Sequence, residues 1–305
     1  GPGGLLLVWA ITAVLTVAGA LCYAELAAML PKAGGQYVFL REGITSAAGF
    51  LYGWTLFMVI QTGTIAAVAV AMAKYLGVFF SGLTDTVFLS LGSVTLPGGT
   101  APIPIGVSPQ RLAAIASILF LTWINARGVK LGAGIQTFLT AIKFGALALL
   151  VLLGLVIFRN ADVVAANFGS FWGTGDWTLA MIPVIGAAMV GSLFTSDSWN
   201  NVTFAAAEVR DPTRNLPRAL AYGTLTVSVL YILANLAYLS VLPFQGDPAA
   251  ADALGQGIAH AAEDRVGAAA VAAMLGPVGG AVMAGGFVTP VAGDDAAGDA
   301  ASCAL

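Results

Sequence analysis

Charge is what this sequence has least of. Only 9% of its 305 residues are Asp, Glu, Lys or Arg, against roughly 25% in an average soluble domain. So few charges cannot cover a soluble globule of this length, and most of the surface must therefore face lipid. The chain has one histidine and two cysteines, too few for a disulfide framework or a His/Cys metal centre. No metal is expected. No run of basic residues is present, which sets nucleic acid aside as a partner. The net charge of −3 decides little, because the placement of Lys and Arg matters more than their sum. "GPGG" at the start has no basic n-region of a signal peptide. Cys303 stands third from the end, not fourth, so "SCAL" does not match a prenylation signal. Gly-rich patches such as "GPVGGAVMAGG" are not followed by Lys-Ser/Thr, so they are packing surfaces rather than phosphate loops. No cofactor is implied.

What is present is apolar length: 59% of the chain is hydrophobic. A spanning helix needs roughly 20 mostly apolar residues. Seven segments qualify, at about 5–30, 49–80, 111–129, 133–158, 180–209, 219–243 and 266–290. Each must be helical, since unpaired backbone amides in hydrocarbon cost several kcal/mol apiece. The roughly ten-residue alternating segments of an outer-membrane barrel are missing. The fold class expected is therefore all-α, a polytopic membrane helix bundle occupying residues 1–290. Residues 31–43 read as a short interfacial or re-entrant element, 95–109 as a Pro/Gly loop, and 249–263 as a short surface helix. The acidic, small-residue tail 291–305 reads as disordered.

Basic residues orient the spans. Loops after the first, third and fifth hold Lys32, Arg41, Arg127, Lys130, Arg210, Arg214 and Arg218, seven of the twelve Lys and Arg. The opposite side holds four: Lys74, Arg111, Arg159 and Arg265. The seven-residue side is expected to be cytoplasmic. Seven spans of this polarity imply a further span upstream. Glu25 and Glu208 then fall at cytoplasmic span ends as solvated charges, and His260 falls in an outside loop.

The remaining basic residue, Lys143, lies roughly ten residues into the fourth span, about 15 Å deep at 1.5 Å per residue. A charge at that depth is costly and must face the bundle interior; intramembrane ionisable residues default to a functional role. The fifth span contains "TSDSWNN", Thr195 to Asn201, in an otherwise apolar helix. Asp, Ser and Asn compete with the helix backbone for hydrogen bonds, so this tract favours an interruption. Unwound backbone at membrane depth is tolerated only beside protein or a water-filled cavity. Discontinuous helices of this kind build the binding sites of secondary transporters.

Three long tracts carry a resemblance. "ALCYAELAAMLPKAGGQYVFLREG" (20–43), "INARGVKLGAGIQTFLTAIKFGALALL" (124–150) and "LFTSDSWNNVTFAAAEVRDPTRNLPRAL" (193–220) are similar to amino-acid permeases of the APC superfamily, particularly the L-type amino-acid transporter branch. The resemblance implies a partial LeuT-like fold, in which the seven spans correspond to the family's second through eighth. The family's first-helix Gly-Ser-Gly turn and the helices after the eighth would then have no counterpart here. It further implies that Phe194 covers the substrate and that the unwound Thr195, Ser196 and Asp197 receive its amino group. Ser198 stands where the family usually has Gly, and Trp199 and Asn200 brace the site. Lys143 matches a family lysine whose ammonium takes the region of the sodium site, which implies sodium-independent transport.

The function implied is a secondary active transporter of amino acids, working by alternating access through sodium-independent exchange or proton-coupled uptake. Its expected location is the plasma (cytoplasmic) membrane. In the family a heavy chain attaches through a cysteine in the loop between the third and fourth helices. Residues 80–110 contain no Cys, so no disulfide-linked heavy chain is expected. The rival readings are a channel, a non-transporting membrane fragment or scaffold, and an intramembrane enzyme. The last lacks HExxH, paired membrane aspartates and a His near a Ser nucleophile.

Overall fold

Helical, apolar and built from stripes of small buried residues, the chain is seen in a computed structural model. That structure describes residues 1–77, 79–95, 102–126, 129–173, 177–261, 266–276 and 279. It divides into two units, residues 1–54 with 146–280 and residues 55–145. One boundary falls near the end of a short helix and the other inside a long one.

Helix α1, Pro2–Met29, opens the first unit. At 1.5 Å per residue it is about 42 Å long, enough to cross a hydrocarbon core of about 30 Å. Its buried residues Val8, Thr12, Thr16, Ala20, Ala24 and Ala27 form one stripe at helical spacing. The large residues point the other way: Val14 is 69% exposed while Ala20 is fully buried. Small residues inward and bulky ones outward is the pattern of a helix packed on helices in lipid. Helix α2 is Gln36–Gly43 and α3 is Ser46–Thr55. A π-helical stretch, Leu56–Gln61, joins α3 to α4, Thr62–Leu76. The Thr62 hydroxyl donates to the Phe57 carbonyl five residues back at 2.7 Å, the i−5 reach that a π turn offers.

Helix α4 packs on α5, Pro109–Ala126, through Ala69, Ala73 and Ala114. Ser108 caps α5, its hydroxyl accepting from the Arg111 amide at 3.3 Å, and Pro109 takes the first helical position. Between α4 and α5 the sequence reading expected only a Pro/Gly loop over 95–109. The structure instead forms a two-stranded antiparallel hairpin, β1 (Leu89–Val94) with β2 (Ile103–Val107). Ile103, Ile105 and Val107 recur at period two, which outweighs the prolines. Pro104 is tolerated because a two-stranded ribbon is all edge.

Helix α6, Val129–Leu152, continues into a π turn, Leu153–Ile157. Helix α7, Ala161–Gly169, had no counterpart in the sequence reading. The Asn160 side chain caps it, accepting from the Asp162 and Val163 amides at 3.0 and 3.3 Å. Helix α8 is Met181–Thr195 and α9 is Pro212–Val241. Helix α9 buries Leu216, Leu220, Thr224, Ser228, Asn235 and Leu239, and α1 packs along it and against α8. The single turn α10, Ala253–Gln256, falls within the expected surface helix. Helix α11, Val266–Leu275, starts the last expected span, most of whose remainder lies outside the described residues, as does the 291–305 tail.

Among the described residues, four helical stretches are long and apolar enough to cross a membrane: Pro2–Met29, Ser46–Leu76, Thr140–Ile157 and Pro212–Val241. Shorter apolar helices cover Pro109–Ile124, Met181–Thr195 and Val266–Leu275.

Asn167 on α7 clasps the end of α9. Its amide donates to the Leu239 and Leu242 carbonyls at 2.8 and 2.9 Å. Its oxygen accepts from the Phe244 amide at 2.7 Å. These are helix-terminal groups buried among Val241, Leu242, Ala270 and Met274. Asn167→Ala is therefore expected to cost about 2 kcal/mol by stranding buried polar groups, read as a lowered thermal midpoint of the purified protein. Asn167→Asp, which keeps the acceptor but loses both donors, is expected to cost nearly as much.

Candidate functional site

The apolar run from Ala180 stays helical only as far as Thr195. The Ser196 amide still reaches back to the Ser192 and Leu193 carbonyls at 3.0 and 3.1 Å, and the Asp197 amide to the Phe194 carbonyl at 3.2 Å. Ser198 then turns to φ 68°, ψ −4°, the left-handed region that L residues other than Asn and Asp rarely enter. Beyond it the chain tightens into 3₁₀ turns at Trp199–Thr203 and Ala206–Glu208. Asp211 at φ 47° then leads into Pro212 and α9. The interruption lies at Ser196–Ser198, inside the tract where the sequence placed it, and its cause is local. Ser, Asp and Asn are poor helix formers, and Ser198 takes the left-handed turn at which the helix ends.

Trp199 is held from two sides. Its ring stands edge-on to Tyr23 at 5.0 Å, and Tyr23 stands edge-on to Phe39 at 5.9 Å. The Gly19 position presses against it, since a Cβ there would lie 3.3 Å from the indole. This trio joins Ala24, Ala27, Ala206, Leu216 and Leu220 in one buried cluster. The Asn200 carbonyl accepts the Thr203 hydroxyl at 2.7 Å. Directly beneath, the Gly34 amide donates to the Phe204 carbonyl at 3.2 Å, so the α1–α2 connection is seated on the post-break tract.

Phe194 is 60% exposed. Thr195, also exposed, returns its hydroxyl to the Gly191 carbonyl at 2.8 Å. Asp197 is exposed and Ser196 half-buried. The Thr195 carbonyl accepts from the Tyr231 hydroxyl of α9 at 3.3 Å, and Tyr231 stands edge-on to Trp9 at 5.3 Å. The sequence reading missed Tyr231. Its signal was a phenol inside a long apolar span, where the hydroxyl must find a partner.

A cleft of about 730 Å³ runs between α1 and α8. Its walls include Val8, Trp9, Trp172, Trp177, Gly191 and Ser192. Where it ends, the Thr12 and Ser192 hydroxyls hydrogen-bond at 2.7 Å, both buried. None of the eight residues singled out from sequence lines it; it stops one turn before Thr195. The residues 194–200 are together because they are consecutive. Lys143, on α6, belongs to the second unit and is half-buried. Glu25 and His260 are exposed, as expected; the Glu208 side chain lies outside the described residues.

Chemically, the break is suited to a cation. A helix C-terminus carries a partial negative charge, and a carbonyl that already accepts one bond keeps a second lone pair. Here that end adjoins the Asp197 carboxylate and the hydroxyls of Ser196 and Ser198. Outside the spans, the Arg41 guanidinium lies 3.0 Å from Glu42 on α2, with Lys32 at 3.7 Å from the same carboxylate. The hydrogen bond from Arg41, aided by the charge of Lys32, holds the Glu42 carboxyl below its ordinary range.

Long apolar helices, small-residue packing stripes and a helix broken at a polar tract define an integral, multi-pass membrane protein with a discontinuous helix. Residues 1–293 match the family model described as "Amino acid permease". The chain belongs to the amino acid permease family. Mouse (Mus musculus) b(0,+)-type amino acid transporter 1 is 32% identical over 241 residues, covering 79% of this chain and 44% of its own length. Rat (Rattus norvegicus) large neutral amino acids transporter small subunit 2 is 32% identical over 248 residues, covering 79% of this chain and 42% of its own length. The chain thus spans less than half the length of these curated relatives. Both are named as transporters, and the family is one of permeases, not enzymes.

Proposed function

We propose that the protein carries amino acids across the plasma membrane by alternating access, in a LeuT-like arrangement to which the seven apolar segments contribute. The observation that carries this reading is the break at Ser196–Ser198, in a chain of the amino acid permease family. The substrate ammonium is received by the carbonyl end of α8 and Asp197, Phe194 covers the side chain, and Trp199 and Asn200 brace the tract. Lys143 supplies a fixed positive charge within the membrane, which makes sodium unnecessary. Exchange and proton-coupled uptake both fit this arrangement. A relative named as a small subunit raises the matter of a larger partner; the absence of Cys from residues 80–110 argues that any such partner is not disulfide-linked there.

The test is counterflow of labelled zwitterionic amino acids in proteoliposomes holding the complete protein, with and without sodium. Saturable counterflow that ignores sodium is expected. Flux that does not saturate would point to a channel, and no flux for any amino acid would sink the carrier reading. Tyr231→Phe removes only the hydroxyl that meets the Thr195 carbonyl. Because one neutral hydrogen bond is worth about 1 kcal/mol, a change of roughly fivefold in KM is expected, with little change in maximal rate.

A further inference from the structure

Hairpin β1–β2 sorts its side chains. Leu89 pairs with Val107, Ser90 with Gly106, Gly92 with Ile105, Ser93 with Pro104 and Val94 with Ile103. Directly paired residues share a face, and faces alternate along each strand. The irregularity between Ser90 and Gly92, with Gly92 at φ 143°, inserts Leu91 and restores the alternation beyond it. One face therefore carries Leu89, Val94, Ile105 and Val107, and the other Ser90, Ser93, Pro104 and Gly106. The apolar face is open: Leu89, Val94 and Ile105 are all roughly half exposed, and Leu91 is 71% exposed. A lone two-stranded hairpin is marginal in water, and an uncovered apolar face makes it more so.

The hairpin is fixed to α5. The Arg111 guanidinium donates to the Gly106 carbonyl at 2.8 Å and to the Pro104 carbonyl at 3.3 Å, and pairs with Asp85 at 3.7 Å. The Phe88 amide closes the base on the Val107 carbonyl at 3.0 Å. Four residues after Ser108, α5 begins an exposed apolar stripe at helical spacing, Leu112, Ile115, Leu119 and Trp123, the pattern of a helix side that faces lipid. From Thr86 to Gln110 the chain has no charged residue.

We propose that the apolar face of this hairpin lies on the membrane surface as an interfacial element, continuing the lipid-facing side of α5. The partner is the lipid interface itself. An open apolar face, held to the start of α5 by Arg111 and free of charge from Thr86 to Gln110, matches lipid better than a protein partner, whose rim would be polar. Ser90 and Ser93 are left to face water. The inference does not depend on which substrate the protein carries, or on whether it carries one.

The experiment uses the complete protein with every native cysteine, Cys22 and Cys303 included, replaced by Ser and single cysteines introduced at Leu89, Ser90, Ser93, Val94 or Ile105. Each carries an environment-sensitive fluorophore and is reconstituted at low protein density in phosphatidylcholine vesicles. Acyl-brominated lipid should quench the probes at 89, 94 and 105 several-fold more than those at 90 and 93, and aqueous iodide should show the reverse order. Equal iodide quenching at all five positions would overturn the proposal, because the hairpin would stand in water. Shielding of positions 89, 94 and 105 from both quenchers would also overturn it, assigning the face to a protein partner or a second copy. Each apolar position answers alone, so loss of one labelled variant to misfolding leaves the test intact.

Discussion

Gly35→Ala is expected to lower the thermal midpoint of the purified protein by roughly 10 °C and to abolish amino-acid counterflow. Gly35 sits at φ 47°, ψ −122°, a combination that strains any residue with a Cβ by about 1–3 kcal/mol. The space is also taken. A Cβ there would collide with the Thr203 hydroxyl and lie 2.9 Å from Phe204 Cδ1, and both neighbours are almost wholly buried. Overpacking of that kind costs a further 1–3 kcal/mol or so. The sum is about 4 kcal/mol, and a chain of this size loses roughly 2–4 °C per kcal/mol. The damage falls on the seat of the post-break tract, which explains why transport should fail with stability. Gly43→Ala is the control: nothing lies within 4 Å of its Cβ position, so wild-type melting is expected. Adding Thr203→Ala to Gly35→Ala should recover part of the loss, because the collision is relieved and the backbone strain is not. A Gly35→Ala protein that melts with wild type would show that the α1–α2 connection is not seated as described.

How much of this could be read before the structure depends on whether the cause is local. The long helices were legible because twenty apolar residues in lipid have one solution, and α1 and α9 lie where the hydropathy put them. The break was legible for the same reason: Ser196, Asp197 and Ser198 compete with the helix at their own positions. The left-handed turn at Ser198 was not, since nothing in "DSW" says which residue takes it. The π turn after α3 was also hidden; "LFMVIQ" has nothing to set it apart from an ordinary apolar helix. Hairpin β1–β2 was missed because prolines and glycines masked the period-two pattern of Ile103, Ile105 and Val107. At the site, Trp199 could be assigned a bracing role from sequence, but its partners Tyr23 and Gly19 could not, being about 180 residues away in the chain. Tyr231 and the Thr12–Ser192 hydroxyl pair are likewise products of helix packing. The cleft between α1 and α8 is a property of surfaces, which no single segment encodes.

Lys143→Ala is expected to reduce counterflow at least about 100-fold and Asp197→Leu roughly 10- to 150-fold, for different reasons that the kinetics separate. Asp197 adjoins the carbonyl end of α8, where a substrate ammonium would gain a charge-assisted hydrogen bond. Such bonds contribute about 1.5–3 kcal/mol, or roughly 10- to 150-fold in affinity. Asp197→Leu should therefore act mainly through KM. Asp197→Asn, which keeps an acceptor without the charge, should retain an intermediate affinity. Lys143 is a different case, because a cation on a membrane helix costs the fold a few kcal/mol. On the proposed role of that charge, its removal should collapse the maximal rate, because a methyl group cannot replace an ammonium. Thermal midpoints measured on the same preparations exclude simple unfolding, with a nearly unchanged midpoint expected for the exposed Asp197. If both variants carried substrate as well as wild type, neither the break nor the half-buried Lys143 would belong to the transport site. The cleft bounded by Trp9, Trp177 and Ser192 would then be the place to look for it.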